Sequence, residues 1–220
     1  MVVNMATRQK GLGAGLEKTP VSRNYVGVTV DEANLSTYTF SSVNVGPDTG
    51  TKRLLIIAGG GLSTNGINSL TIDGVSATLI TDANTYDALG IFLSDEVTGV
   101  TSADLVLSFA ENQREGKVFV YEVFDIDDPS PLDTVAIANN ANSVNEVLTA
   151  QAGGVVFACV SKSGLGGFPS LTSGVTLDAS DLTGITDNYA GSDLTTGSSV
   201  TVVADGDSTT RSQFVAATFR

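Results

Sequence analysis

The second half of this chain repeats the texture of the first. Leu93–Gly99 reads L-S-D-E-V-T-G and leads into the strand-like run Ala103–Phe109, while Gly191–Gly197 reads G-S-D-L-T-T-G and leads into Ser199–Ala204. Each copy then crosses a polar turn into a phenylalanine-ended strand, Lys117–Phe124 in one and Gln213–Phe219 in the other. Upstream, Leu54–Gly60 (L-L-I-I-A-G-G) answers Gly154–Val160 (G-V-V-F-A-C-V). A β-rich pattern laid down twice restricts the chain to folds built from two similar sets of strands. With no histidine among 220 residues, it points to a scaffold or shell rather than a catalyst.

From Tyr25 onward, short β-branched runs alternate with turn residues. Tyr25–Val30 places Val26, Val28 and Val30 on one face, and Thr37–Val45 runs on to Gly46-Pro47-Asp48. Lys52–Ala58 is a nearly continuous apolar run, which fits a strand buried on both faces. Ile67–Asp73 and Ser76–Thr81 flank Asp73-Gly74, the dipeptide favoured by a two-residue type I′ hairpin because both central residues need positive φ. Further strands are expected at Leu89–Leu93, Asp104–Phe109, Val118–Phe124, Thr134–Ala138, Val144–Thr149, Val155–Ser161, Val175–Leu177, Ser199–Ala204 and Gln213–Phe219. No segment carries a 3.6-residue apolar stripe over three turns, so helix is limited to one short piece around Ser94–Val97 or Ser180–Thr183.

More than ten such strands read as an all-β antiparallel β-sandwich, and a jelly-roll-like pair of interleaved Greek keys suits their number and length. The expected organisation is an extended basic N-terminal arm at residues 1–24 and a single β-sandwich domain at 25–220. Its two pseudo-repeated halves would each lend strands to both sheets. The alternative is two small β domains, 25–128 and 132–220, hinged at Asp127-Asp128-Pro129-Ser130-Pro131. Loops at Gly59–Gly66, Lys162–Ser170 and Asp205–Thr210 would decorate the ends.

Charge separates the arm from the body. Arg8, Lys10, Lys18 and Arg23 face only Glu17 in the first 24 residues, a balance of +3. The total of −13 therefore leaves the remainder at −16. An acidic body repels phosphate backbones, so nucleic acid is not an expected partner. No run reaches the roughly 18 apolar residues that span a membrane as a helix, and the start carries no secretory signal pattern. The chain reads as made in a cytoplasm. Within the arm, Gly11-Leu12-Gly13-Ala14-Gly15-Leu16 is too glycine-rich for a stable helix. It is expected to order against another protein, with Arg8, Lys10, Leu12, Leu16, Lys18 and Arg23 as its contact residues.

Without imidazole, Ser-His-Asp and Cys-His activation and His-containing metal sites are excluded. Cys159 is the only cysteine, so neither an intrachain disulfide nor a multi-cysteine metal site is possible, and its apolar setting reads as core. Glu122, with Asp104 or Asp125, is the carboxylate set to weigh for glycoside hydrolysis. Its expected place is a solvent-facing or interface strand rather than an active site, and the chain has no tryptophan to stack a sugar. Asp125-Ile126-Asp127-Asp128 and Asp205-Gly206-Asp207 lack calcium-loop spacing and read as acidic turns. Gly59-Gly60-Gly61 lacks the G-K-[ST] ending of a phosphate loop. No catalytic residue, metal or cofactor is expected.

With these residues in view, the chain resembles the virion structural proteins of tailed bacteriophages. It is most similar to the small β-sandwich proteins that decorate heads or form head fibres and tail appendages. The likeness rests on the Thr/Ser/Gly/Val-rich strands of Tyr25–Phe219, the hairpin Leu70-Thr71-Ile72-Asp73-Gly74-Val75-Ser76-Ala77-Thr78 and the S-D-x-x-T-G segments at Ser94 and Ser192. The basic, glycine-rich arm looks like a tethering segment. The resemblance implies a non-enzymatic homo-oligomer located in the virion, with phage capsid or tail proteins as partners. A lectin-like carbohydrate-binding or adhesion module shares the same style and is the alternative.

Overall fold

A computed structural model of the chain describes residues 18–61, 66–84, 87–137, 143–163, 170–182, 186–205 and 211–220. Among these residues every regular element is a strand, and no helix is long and apolar enough to cross a membrane. The first half supplies β1 (Ser22–Asp31), β2 (Leu35–Asn44), β3 (Lys52–Gly60), β4 (Ile67–Ile72), β5 (Val75–Ser76), β6 (Thr78–Ala83), β7 (Ala88–Val97), β8 (Ser102–Gln113) and β9 (Gly116–Phe124). The second supplies β10 (Asp133–Ile137), β11 (Ser143–Thr149), β12 (Gly154–Ser163), β13 (Ser170–Ser173), β14 (Thr176–Asp181), β15 (Thr186–Thr195), β16 (Ser199–Asp205) and β17 (Arg211–Phe219).

The strands form four antiparallel sheets, and no sheet mixes the halves. The first half gives the orders β1-β9-β3-β7-β6 and β2-β8-β4-β5, and the second gives β10-β17-β12-β15-β14 and β11-β16-β13. The expectation that each sheet draws on both halves is thereby corrected. Local pairing wins because each half already contains a complete set of partners for its own strands. The two halves are joined by the connection at residues 125–132, where the sequence placed a hinge, yet they share a core.

Side-chain alternation shows how. Leu54, Ile56 and Ala58 of β3 face the β2 sheet, packing with Tyr38, Phe40, Leu105 and Val120. Leu55 and Ile57 point the other way and meet Phe157, Cys159, Val215 and Phe219 of the second half. Beyond β12, Val156, Ala158 and Val160 pack with Leu148, Val202 and Phe214. The result is a stack of four sheets with three apolar layers, and the two middle sheets are covered on both faces. That is why the β3, β9 and β12 sequences are nearly continuous apolar runs instead of alternating ones. Each large side chain buried in this way contributes about 1.5–3 kcal/mol. The halves meet through equivalent edges, β1 against β14 and β10 against β6, as two subunits of an isologous dimer do.

The hairpin forms as read: Ile72 pairs with Val75 across Asp73 (φ 49) and Gly74 (φ 79). Its second arm lasts only two residues, because the chain then crosses to the other sheet as β6. Three further expectations are corrected. Ser94–Val97 is the end of β7, with Val97 opposite Lys52, and not a helix. Ser180 and Asp181 belong to β14, while Thr183 lies outside the described residues. The body begins earlier than residue 25, since β1 starts at Ser22 and pairs with Phe124. The strand register also shifts one correspondence by two residues. Ile57 opposes Phe119 as Cys159 opposes Val215, so Leu54 matches Val156 rather than Gly154.

Candidate functional site

The chain enters the body at one end of the stack through a set of specific bonds. Val21 is buried in the layer between the halves, and its N–H donates to the Gly153 carbonyl at 2.8 Å. The Arg220 guanidinium donates to the carbonyls of Thr19 (2.9 Å) and Gly153 (3.1 Å). Lys18 pairs with Asp127 at 2.9 Å, an exposed contact of little energetic weight. Arg23 donates to the Ser192 carbonyl at 2.7 Å and stands 3.8 Å from Asp193. Of the six arm residues singled out in the sequence, Arg23 is therefore a strand residue that ties β1 to the second half, and Lys18 is at the surface. Arg8, Lys10, Leu12 and Leu16 lie outside the described residues.

The opposite end gathers a different set of connections. β3, β6, β10, β12, β14 and β16 all finish there, as the pairs Gly60–Gly116, Lys162–Ser212 and Ile137–Phe214 require. Residues 62–65, 85–86, 138–142, 164–169, 183–185 and 206–210 join strands at this end, so the expected decorating loops fall largely outside the described residues. In sequence they are Gly, Ser, Thr and Asn with a few apolar residues, and Asp207 is their single charge.

The buried carboxylates Glu122, Glu115 and Asp181 are each engaged by a lysine. Glu122 is buried and accepts from the Lys52 ammonium at 2.6 Å, and Lys52 also donates to the carbonyls of Val45 (2.8 Å) and Pro47 (3.0 Å). The expected solvent-facing or interface position of Glu122 is corrected: it points into the layer between the first half's two sheets. A lysine at the head of β3 can neutralise it there. Gly46 (φ 88) covers the pair, and a Cβ at that position would fall onto the Glu122 carboxylate. Above the pair opens a groove of about 380 Å³ lined by Asn24, Asn44, Gly46, Pro47, Thr101 and Glu122. Asp104, on the exposed face of β8, accepts from the Ser42 N–H at 2.7 Å. Asp125 sits at φ 60 in the connection between halves. The three carboxylates weighed for hydrolysis thus lie in separate settings, the buried layer, the exposed face of β8 and the connection between halves.

A second ionic cluster locks the halves at the far end. Lys117 lies 2.8 Å from Asp181 and 3.5 Å from Glu115, all three buried, and also donates to the Thr186 carbonyl. Glu115 accepts from the Thr186 N–H at 2.8 Å and from its hydroxyl, which in turn accepts from Asn188 at 3.0 Å. Glu115 and Lys117 come from the first half and Asp181, Thr186 and Asn188 from the second. The sequence signal for both clusters was a charged residue inside or heading an apolar strand, as in V-Y-E-V-F and G-K-V-F-V. It marked the residues but not their partners.

The remaining chemistry is quiet. Burial pushes the Cys159 thiol far above its ordinary range, which removes the reactive thiolate. Among the described residues no group of three or more His, Cys, Asp or Glu could hold a metal ion. Asp127 is engaged by Lys18, and Asp128 caps the Ser130 N–H at 2.8 Å. Comparison with protein-family models, curated proteins and solved structures finds no match.

Proposed function

We propose that this protein is a non-enzymatic structural component of a tailed-phage virion, fixed to the capsid or tail by its N-terminal segment. The observation that carries this reading is the two-ended build. The chain enters one end through Val21, Arg23 and Arg220, and β3, β6, β10, β12, β14 and β16 finish at the other, where the connecting sequence carries Asp207 as its single charge. Such a body is suited to attachment at one end and display at the other. The buried Lys52–Glu122 and Glu115–Lys117–Asp181 groups support it, because the carboxylates a hydrolase would need are consumed as cross-links. The strand orders, with β1-β9-β3-β7 facing β2-β8-β4 and the same pattern in β10–β17, support a jelly roll in each half. Homo-oligomers on a shell follow naturally from this reading, with salt screening the repulsion between acidic bodies.

The test is co-sedimentation of full-length protein and a variant lacking residues 1–17 with purified phage particles. The variant is expected to stay folded and remain in the supernatant, and equal incorporation of both would sink the tether. A second reading, a carbohydrate-binding module, draws on the groove beside Glu122, where the Asn24 and Asn44 amides suit sugar hydroxyls. Glycan-array binding lost on Asn24→Ala would favour it over the structural reading.

A further inference from the structure

We propose that Lys117 and Asp181 condense into a side-chain amide, with Glu115 carrying the proton, so that the two halves are joined covalently at the far end of the stack. The bond is independent of how the N-terminal segment is used. The Lys117 Nζ stands 2.8 Å from Asp181 Oδ2 and 3.5 Å from Glu115 Oε1. Asp181 Cγ lies one bond beyond Oδ2, so the nitrogen is within roughly 4 Å of it, near the separation of about 3–3.5 Å from which bonds form. Lys117 and Glu115 are wholly buried, and Asp181 is 6% exposed. Thr186 holds the parts in place, its N–H donating to Glu115 at 2.8 Å and its carbonyl accepting from Lys117.

The surroundings favour uncharged groups. Lys117 pairs with Gly59 on β3 and lies beside the apolar layer that contains Ile57, Phe119 and Cys159. A Cβ on Gly61 would fall 3.1 Å from Glu115 Oε1, so glycine there lets the chain close over the carboxylate. Passing the ammonium proton to Asp181 relieves the cost of holding both ions out of water and leaves an amine beside a carboxylic acid. The amine nitrogen attacks Asp181 Cγ and forms the C–N bond. Glu115 takes the surplus proton from the nitrogen and returns it to the departing hydroxyl, the C–O bond breaks, and water leaves. One ammonium and one carboxylate thus become one amide and one water, with no oxidant or further reactant, and Glu115 ends as it began. Well-oriented groups react at effective concentrations on the order of 10⁵ M, which offsets the preference of dilute water for hydrolysis. Lys52 supplies the contrast. Among the described residues it pairs with one carboxylate, Glu122, and donates to two carbonyls, so no second carboxylate is at hand and that pair stays ionic.

Intact-mass spectrometry of the denatured full-length protein, followed by peptide mapping, tests this. Wild type is expected to be one water lighter than its unlinked sequence, with the loss carried by a branched peptide joining Lys117 to Asp181. Glu115→Gln, which keeps the size of the side chain, and Lys117→Arg are each expected at the unlinked mass. Wild type at the unlinked mass would overturn the proposal, whatever the variants do. So would a water loss mapped to Asp73-Gly74 or Asp205-Gly206, where an aspartyl-glycine pair can close to a succinimide, or one mapped to Lys52 and Glu122. Full linkage in Glu115→Gln would overturn the proton-carrying role of Glu115.

Discussion

Glu122→Ala isolates the strongest electrostatic element of the first half. Its loss leaves the Lys52 ammonium buried without a counter-charge, and breaking a buried pair from one side costs about 3–5 kcal/mol. Two carbonyls, Val45 and Pro47, still accept from Lys52 at 2.8 and 3.0 Å, which places the expected cost near the lower end, about 3 kcal/mol. Replacing both partners, as Lys52→Met with Glu122→Ala, removes the buried charges together and is expected to cost no more than Glu122→Ala alone. The assay is urea unfolding of the four members of the cycle, with coupling of at least about 2 kcal/mol between the sites. The pair is shielded from solvent, so the coupling should change little between low and high salt. A single Glu122→Ala cost below about 1 kcal/mol, additive with Lys52→Met, would refute a structural role for the carboxylate.

Cys159 should resist a thiol reagent at pH 8 in the folded protein and react at once in denaturant, and rapid labelling of the native chain would contradict its burial. The Asp133 carboxylate is held below its usual range by the Thr149 and Thr134 N–H groups. The unfolded chain therefore takes up the proton first, and this stabilisation is present above the ordinary carboxylate pKa and lost as pH falls through the lower folded value. Asp133→Asn should accordingly flatten the decline of the urea midpoint below about pH 4, whereas an unchanged acid profile would count against that bond. Residues 18–128 expressed alone would bare Leu55, Ile57, Phe119 and Tyr121, and should aggregate or self-associate. A soluble, cooperatively unfolding monomer would show that the middle layer is dispensable.

Much of the fold was legible because its local chemistry is unambiguous. Asp73-Gly74 demanded a tight turn and made one, and Lys52–Ala58 announced a strand covered on both sides. The face that covered it was not legible, since Leu55 and Ile57 would look the same against either half. β15 escaped notice because Gly191, Ser192 and Asp193 carry little β propensity, and it is held by its neighbours β12 and β14 instead. Arg23 resembled an arm residue by charge alone; its partner, the Ser192 carbonyl, is 169 positions away. Separation in sequence also hid the Glu115–Lys117–Asp181 cluster, whose members come from different halves. Strand residues Glu122 and Lys117 were visible as charges in apolar company, but sequence patterns fix which face a residue occupies and not what waits across the layer.

Virion membership is tested most directly by quantitative mass spectrometry of density-purified particles from a lysate in which the protein is made. The structural account requires the chain to band with the particles at many copies each and to disappear from them when residues 1–17 are deleted. Abundant protein in the lysate with none in the purified particles would contradict it.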